Sequence, residues 1–169
     1  MGSRMWAAIA MVMMVAGAPA ALAQDEPPPA VNSQDAAWHN RQMLYLLELK
    51  AADGWRYTAS GLRYRRVKAA PAGAPHAAPS DVVTIHYAGS LIDGTEFDSS
   101  IARGVPATFP LPRLIRGWQE GVPLMAVGDT FEFAIPQNLA YGPEAKGPIP
   151  GGATLLFTIQ LIATAPAGG

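Results

Sequence analysis

Twelve residues, Leu114 to Met125, limit what this chain can become: Leu-Ile-Arg-Gly-Trp-Gln-Glu-Gly-Val-Pro-Leu-Met. The chain around them alternates between strand and turn patterns. Here alone Leu114, Ile115 and Trp118 share one face of a short helix, which Gly121 and Pro123 soon stop. A single short helix cannot bury its apolar face alone, and neither can a one-sided sheet. The expected solution is a sheet curled over that helix with Trp118 beneath. From this stretch alone, Trp118 reads either as ordinary core or as the floor of a pocket.

The flanking segments supply the sheet. Trp55 to Lys68 alternates as a strand, with Leu62 and Tyr64 on one face and Arg63 and Arg65 on the other, solvated face. Asp81 to Gly89 puts Val83, Ile85 and Tyr87 inward, and Asp93-Gly94 marks a hairpin turn. Glu96 to Ser100 continues as strand, followed by a loop through Arg103-Gly104-Val105-Pro106. Phe109 and Leu111 lead into the central helix. Beyond Gly128-Asp129, Phe131, Phe133 and Ile135 face inward until Pro136 closes the strand. A long loop then runs to Gly152. Thr154 to Ala163 alternates Leu155, Phe157, Ile159 and Leu161 on one face.

The N-terminal third has a different character. Residues 1–23 read as a secretory signal peptide: Arg4 is the lone charge, Met5 to Ala16 is too short for a comfortable membrane span, and Ala21-Leu22-Ala23 offers a cleavage site before Gln24. Residues 24–32 form a Pro-rich linker. Ser33 or Asp35 then caps a helix running to about Ala52, with Gly54 as its stop. Its apolar stripe, which includes Trp38, Met43, Leu44 and Leu47, has two readings. It packs on its own domain, or part of it is a homodimer seam or a surface for unfolded chains. The remaining chain divides into a domain over 55–165 and a tail over 166–169.

The 169-residue chain carries a net charge of −1, which becomes 11 − 13 = −2 once Arg4 is removed with the signal. Near-neutrality gives no reason to expect nucleic acid, or a membrane after cleavage, as partner. The absence of cysteine excludes disulfides and thiol chemistry. His39, His76 and His86 show no metal-ligand spacing, and no serine elbow, Walker loop or dinucleotide fingerprint occurs. No metal and no cofactor is expected. What remains is a set of aromatic residues with a few polar tips. Asp98 stands out among them, lying between Phe97 and two serines, with Arg103 as a plausible counter-charge.

Five blocks occur in order: Ile85-His86-Tyr87-Ala88-Gly89, Asp93-Gly94, Phe97-Asp98-Ser99-Ser100, Ile115-Arg116-Gly117-Trp118-Gln119-Glu120-Gly121, and Ile135-Pro136 with Leu139-Ala140-Tyr141-Gly142. Together they resemble the FKBP-type peptidyl-prolyl cis-trans isomerases of secreted, periplasmic bacterial type, over roughly Leu62 to Ala163. The resemblance implies an α+β fold in which a bent antiparallel sheet wraps one short α-helix, here preceded by the N-terminal helix. It implies rotation of Xaa-Pro bonds in unfolded or partly folded exported polypeptides, and a site able to take macrolide inhibitors. By resemblance Asp98, Tyr141, Tyr87 and Trp118 carry catalysis, with the proline ring on Trp118. Phe97, Arg103, Leu114, Ile115, Ile149 and Phe157 bind substrate, the Ile115 N–H and the Tyr141 hydroxyl meeting its carbonyls. Three departures stand out. Ala107 replaces a larger wall residue of many relatives, Pro148 precedes Ile149 where an aliphatic is usual, and the loop from Pro143 to Gly147 is a residue shorter than in some relatives, with Lys146 near the place of a common His. On this reading, a chain lacking residues 24–54 retains its activity on a short peptide.

Overall fold

The computed structural model describes residues 35–167. The expected signal peptide, the Pro-rich linker, Ser33 and the last two residues of the tail lie outside them. Helix α1, Ala36–Glu48, is capped by Asp35, whose carboxylate accepts the Ala37 N–H at 2.8 Å. It stops before the expected Ala52. A 3-10 turn over Ala51–Asp53 follows, closed by Gly54 at φ 84°. Only Trp38 and Gln42 of α1 are buried, while Met43, Leu44 and Leu47 are exposed.

The single strand expected over 55–68 is two. Strand β1, Arg56–Tyr57, and strand β2, Arg63–Lys68, are separated by a turn that Gly61 closes at φ 96°. Strand β3, Val82–Leu91, is the spine, with Val83, Ile85, Tyr87 and Leu91 buried and their neighbours half-exposed. Strand β4, Glu96–Ser99, returns through the Asp93-Gly94 turn, where Gly94 takes φ 87°. Four residues of helix, α2 (Ser100–Arg103), replace the expected loop, and strand β5, Ala107–Pro110, follows. Helix α3, Arg116–Gly121, then precedes strand β6, Thr130–Ile135, and strand β7, Leu155–Ala165.

All strand pairings are antiparallel, in the order β1-β2-β6-β7-β3-β4. One edge of β3 is shared: β5 pairs with Val82–Ile85, and β4 pairs with Ala88–Ser90. Between those two partners the edge is broken by α2, and that break becomes one rim of the site. The core between sheet and helix contains Val83, Ile85, Leu111, Phe133, Ile135, Leu155, Ile159 and Leu161, all fully buried or nearly so.

Helix α3 is shorter than the apolar stretch suggests. Leu114 and Ile115 precede it, with Ile115 at the N-cap, and a 3-10 turn over Val122–Leu124 continues it. Gly121 is the last residue of α3, at the expected stop, but it does more than end the helix. Its purpose is approach. A Cβ on Gly117 would stand 2.5 Å from Ile135 Cγ2, and one on Gly121 would stand 2.5 Å from Phe133 Cε1. These two glycines, i and i+4 on one face, let the helix backbone lie directly on β6. That contact fixes the height at which Trp118 meets the sheet.

Candidate active site

The indole of Trp118, 5% exposed, forms the base of a cavity of about 470 Å³. The volume falls within the ~300–1,000 Å³ common for small-ligand clefts. Rings stand on edge around it. Phe157 lies 5.0 Å from the indole at 84°, Tyr87 at 5.3 Å and 78°, and Phe109 at 6.5 Å and 70°. Phe97 in turn stands 5.6 Å from Phe157 at 85°. Edge-to-face pairs of this kind contribute ~0.5–1.5 kcal/mol each beyond area burial. They also keep the walls upright, so the cup stays open. The Trp118 Nε1–H is buried without an acceptor among the described residues.

The polar rim grows from the break in the β3 edge. Ser99 caps α2, accepting the Ala102 N–H at 3.0 Å, and Gly104 ends it at φ 70°. One tight turn thus carries Arg103 back to Asp98. The Asp98 carboxylate accepts from the Arg103 guanidinium and from the Tyr87 hydroxyl. Arg103 Nη2 also donates to the Tyr87 oxygen at 3.1 Å. Ser100, fully buried, locks α2 to β3 by accepting the Tyr87 N–H at 2.8 Å. The Asp98 side chain is 43% exposed, so it sits on the rim rather than within the core.

Charge follows from that geometry. Partial burial pushes the Asp98 carboxyl up, but the Tyr87 hydroxyl and Arg103 outweigh it and hold it below the usual carboxylate range. Burial, and next the hydrogen bond to Asp98, push the Tyr87 hydroxyl up. Tyr141 is raised too, by burial and by the Asp98 charge, so both phenols remain neutral donors. Tyr141 is 42% exposed, and its hydroxyl has no partner among the described residues. The Ile115 N–H likewise meets no acceptor among them.

Nine of the ten residues that the sequence reading nominates line this one cavity: Tyr87, Phe97, Asp98, Leu114, Ile115, Trp118, Tyr141, Ile149 and Phe157. The tenth, Arg103, stands behind Asp98. Phe109, Arg113, Lys146 and Pro148 also line it and were not nominated. Phe109 had a signal. It shares the half-buried face of β5 with Ala107, two residues away, and lines the cavity where Ala107 does not. Among the described residues, no group of three or more His, Asp or Glu side chains is placed to hold a metal.

Such a site defines a class of binding cleft: an open aromatic cup with a polar rim on one side. The comparisons with known proteins give the family. The family described as FKBP-type peptidyl-prolyl cis-trans isomerase matches residues 73–162, and the chain belongs to that family. The chain is 48% identical over 119 residues to the FKBP-type peptidyl-prolyl cis-trans isomerase FkpA of Aeromonas hydrophila, covering 70% of this chain and 44% of that protein. It superposes on the crystal structure of FkpA from Escherichia coli with TM-score 0.69 and 35% identity, over 78% of this chain and 60% of that one. A peptidyl-prolyl cis-trans isomerase structure from Pseudomonas syringae gives TM-score 0.70 at 29% identity, over 76% of this chain and 94% of that one. The chain spans about half the length of the curated relatives it matches, 44%, 57% and 43% of the first three.

Proposed function

We propose that this chain is a peptidyl-prolyl cis-trans isomerase that accelerates Xaa-Pro rotation in exported polypeptides by non-covalent binding. The observation that carries the proposal is the open aromatic cup on Trp118, with a neutral phenol and an ion-paired carboxylate on its rim. Amide rotation faces a barrier of ~18–20 kcal/mol, because resonance holds the C–N bond planar. Uncatalysed Xaa-Pro exchange therefore takes roughly tens to hundreds of seconds, slow enough to limit folding. The twisted transition state has lost most of that resonance and its charge separation. A dry apolar cup disfavours the dipolar planar amide relative to the twisted one. The ring is held on Trp118 while the preceding carbonyl turns past Tyr87 and Asp98. The Ile115 N–H and the Tyr141 hydroxyl hold the flanking carbonyls. A thousandfold acceleration needs only ~4 kcal/mol of differential stabilisation.

A protease-coupled assay on a short Xaa-Pro peptide tests this reading. Acceleration by the purified chain is expected, as is inhibition by a macrolide that fills the cup. A chain that leaves the uncatalysed rate unchanged refutes it. The signal-like N-terminus supports action in the periplasm, which fractionation checks. The exposed Met43, Leu44 and Leu47 on α1 favour a second property, homodimerisation through that helix or a hold on unfolded chains. Sedimentation of the full chain, with Leu44→Asp as the disrupting variant, separates the two.

A further inference from the structure

One wall of the cup belongs to the long loop between β6 and β7, where Tyr141, Lys146, Pro148 and Ile149 face the cavity. Internal bonds give the loop its shape. Gly152 N–H donates to Gly142 O at 2.9 Å, and Lys146 and Ile149 exchange backbone bonds of 2.8 and 3.0 Å. At its C-terminal base, however, two backbone groups are satisfied by α1. Trp38 Nε1 donates to Gly151 O at 3.1 Å, and Gln42 Oε1 accepts the Thr154 N–H at 2.9 Å. Both bonds are buried, and they join residues 113 and 112 apart in the chain. Trp38 and Gln42 lie i, i+4 on the one face of α1 that is buried. His39 closes the contact: a Cβ on Gly152 would come within 2.9 Å of its Nε2.

Movement at this seat reaches the cup. Gly151 packs so tightly on Pro143 that any Cβ there would collide with the Pro143 carbonyl. A shift of Gly151 is therefore handed to Pro143, two residues from Tyr141.

We propose that Trp38 and Gln42 are positioning residues for the proline pocket: they seat the loop over 142–154 and thereby fix the wall that carries Tyr141 and Ile149. The proposal rests on the isomerase reading above. A loop seated only part of the time lowers apparent affinity in proportion to the seated fraction. Bound substrate selects the seated form, so turnover of the complex changes little. The signature is a raised KM at nearly constant kcat, which general loss of stability does not produce.

The test uses the full chain and its Trp38→Phe and Gln42→Met variants, with Asn40→Ala, at an exposed position of α1, as control. Each is assayed on a short Xaa-Pro peptide well below its Tm. Amide exchange over residues 142–154 reads the seat without reference to activity. KM is expected to rise about three- to tenfold in the two seat variants, the range spanned by one lost hydrogen bond. Exchange in the loop accelerates with it, while Asn40→Ala matches wild type. Removing residues 24–54 raises KM as well, contrary to what the sequence alone suggests. KM within twofold of wild type in both seat variants, or unchanged loop exchange, overturns the proposal and leaves the isomerase reading standing. An inactive wild type overturns both.

Discussion

Gly89→Ala is the sharpest single test of the cup, because it presses on two walls at once from beneath. Gly89 lies in β3 with backbone that any residue adopts, so the added methyl brings no conformational strain. Its Cβ would stand 2.6 Å from Phe157 Cε1 and 2.8 Å from Phe97 Cε2 and Cζ. Ordinary contact begins near 3.4 Å, so the Phe157 edge must retreat by 3.4 − 2.6 = 0.8 Å and the Phe97 edge by 3.4 − 2.8 = 0.6 Å. Both rings face the cavity, and Phe157 is the wall nearest the indole.

Two free energies follow. Overpacking costs ~1–3 kcal/mol. Replacing glycine reduces the freedom of the unfolded chain and returns ~0.4–1 kcal/mol. The net loss is about 0–2.6 kcal/mol, a drop in Tm of a few degrees for most of that range. Activity should suffer more, since misplacing a binding wall by ~1 Å can cost about a hundredfold. The expectation is kcat/KM lowered ~10–100-fold in the protease-coupled assay, measured where the variant is fully folded. Gly121→Ala is the companion. It presses on Phe133 and lifts the helix that carries Trp118, so it should lower Tm comparably and lower kcat/KM through the floor rather than the walls. If Gly89→Ala keeps kcat/KM within twofold of wild type, Phe97 and Phe157 do not shape the transition-state pocket.

Other outcomes are as specific. Tyr141→Phe removes a hydroxyl with no partner among the described residues, so Tm should hold while kcat/KM falls ~2–10-fold, the worth of one hydrogen bond to substrate. Asp98→Ala should lower turnover further, because it also frees Tyr87 and Arg103 at the rim; unchanged turnover would remove Asp98 from the site. The Asp98 carboxyl is held below its ordinary value, so the rim is intact above the unfolded carboxyl pKa of ~3.9 and is lost as pH falls through the lower folded value. kcat/KM should therefore be flat from neutral pH down to about pH 4.5, and a titration centred near pH 6 would assign control to another group. If residues 1–23 act as the signal we propose, N-terminal sequencing of the protein recovered from the periplasm should find Gln24 first.

Sequence carried some parts of this structure and not others, for identifiable reasons. The inward alternation of β3, β6 and β7 is local and has period two, so Val83, Phe133 and Leu161 could be placed by pattern alone. The turn at Gly94 was legible from Asp-Gly. Helix α2 was not, since four residues show no periodicity, although Ser99 before it and Gly104 after it are ordinary cap residues. Gly121 has the look of a stop, and only the distance to Phe133 reveals it as a contact. Trp38 looked like one part of a broad apolar stripe, and Gln42 carried no signal at all. Nothing local marks a helix residue whose hydrogen-bond partner lies more than a hundred positions away.

The site is continuous with the core, and that continuity decides which of its residues can be tested cleanly. Tyr87, Trp118, Ile149 and Phe157 belong to the same buried cluster as Ile85 and Leu155. The cup is thus the end of the core that the sheet leaves uncovered, not a separate constellation placed upon it. An apolar hollow facing water tends to collapse, and here the edge-on rings and the glycine-seated α3 resist it. Truncating Trp118 therefore removes core packing together with the proposed substrate surface, and loss of activity there says little about chemistry. Tyr141 and Asp98 are half-exposed and stand outside the packing, so there rate and stability come apart. A catalyst that works by shape keeps its affinity in its core and its tunable groups on its rim.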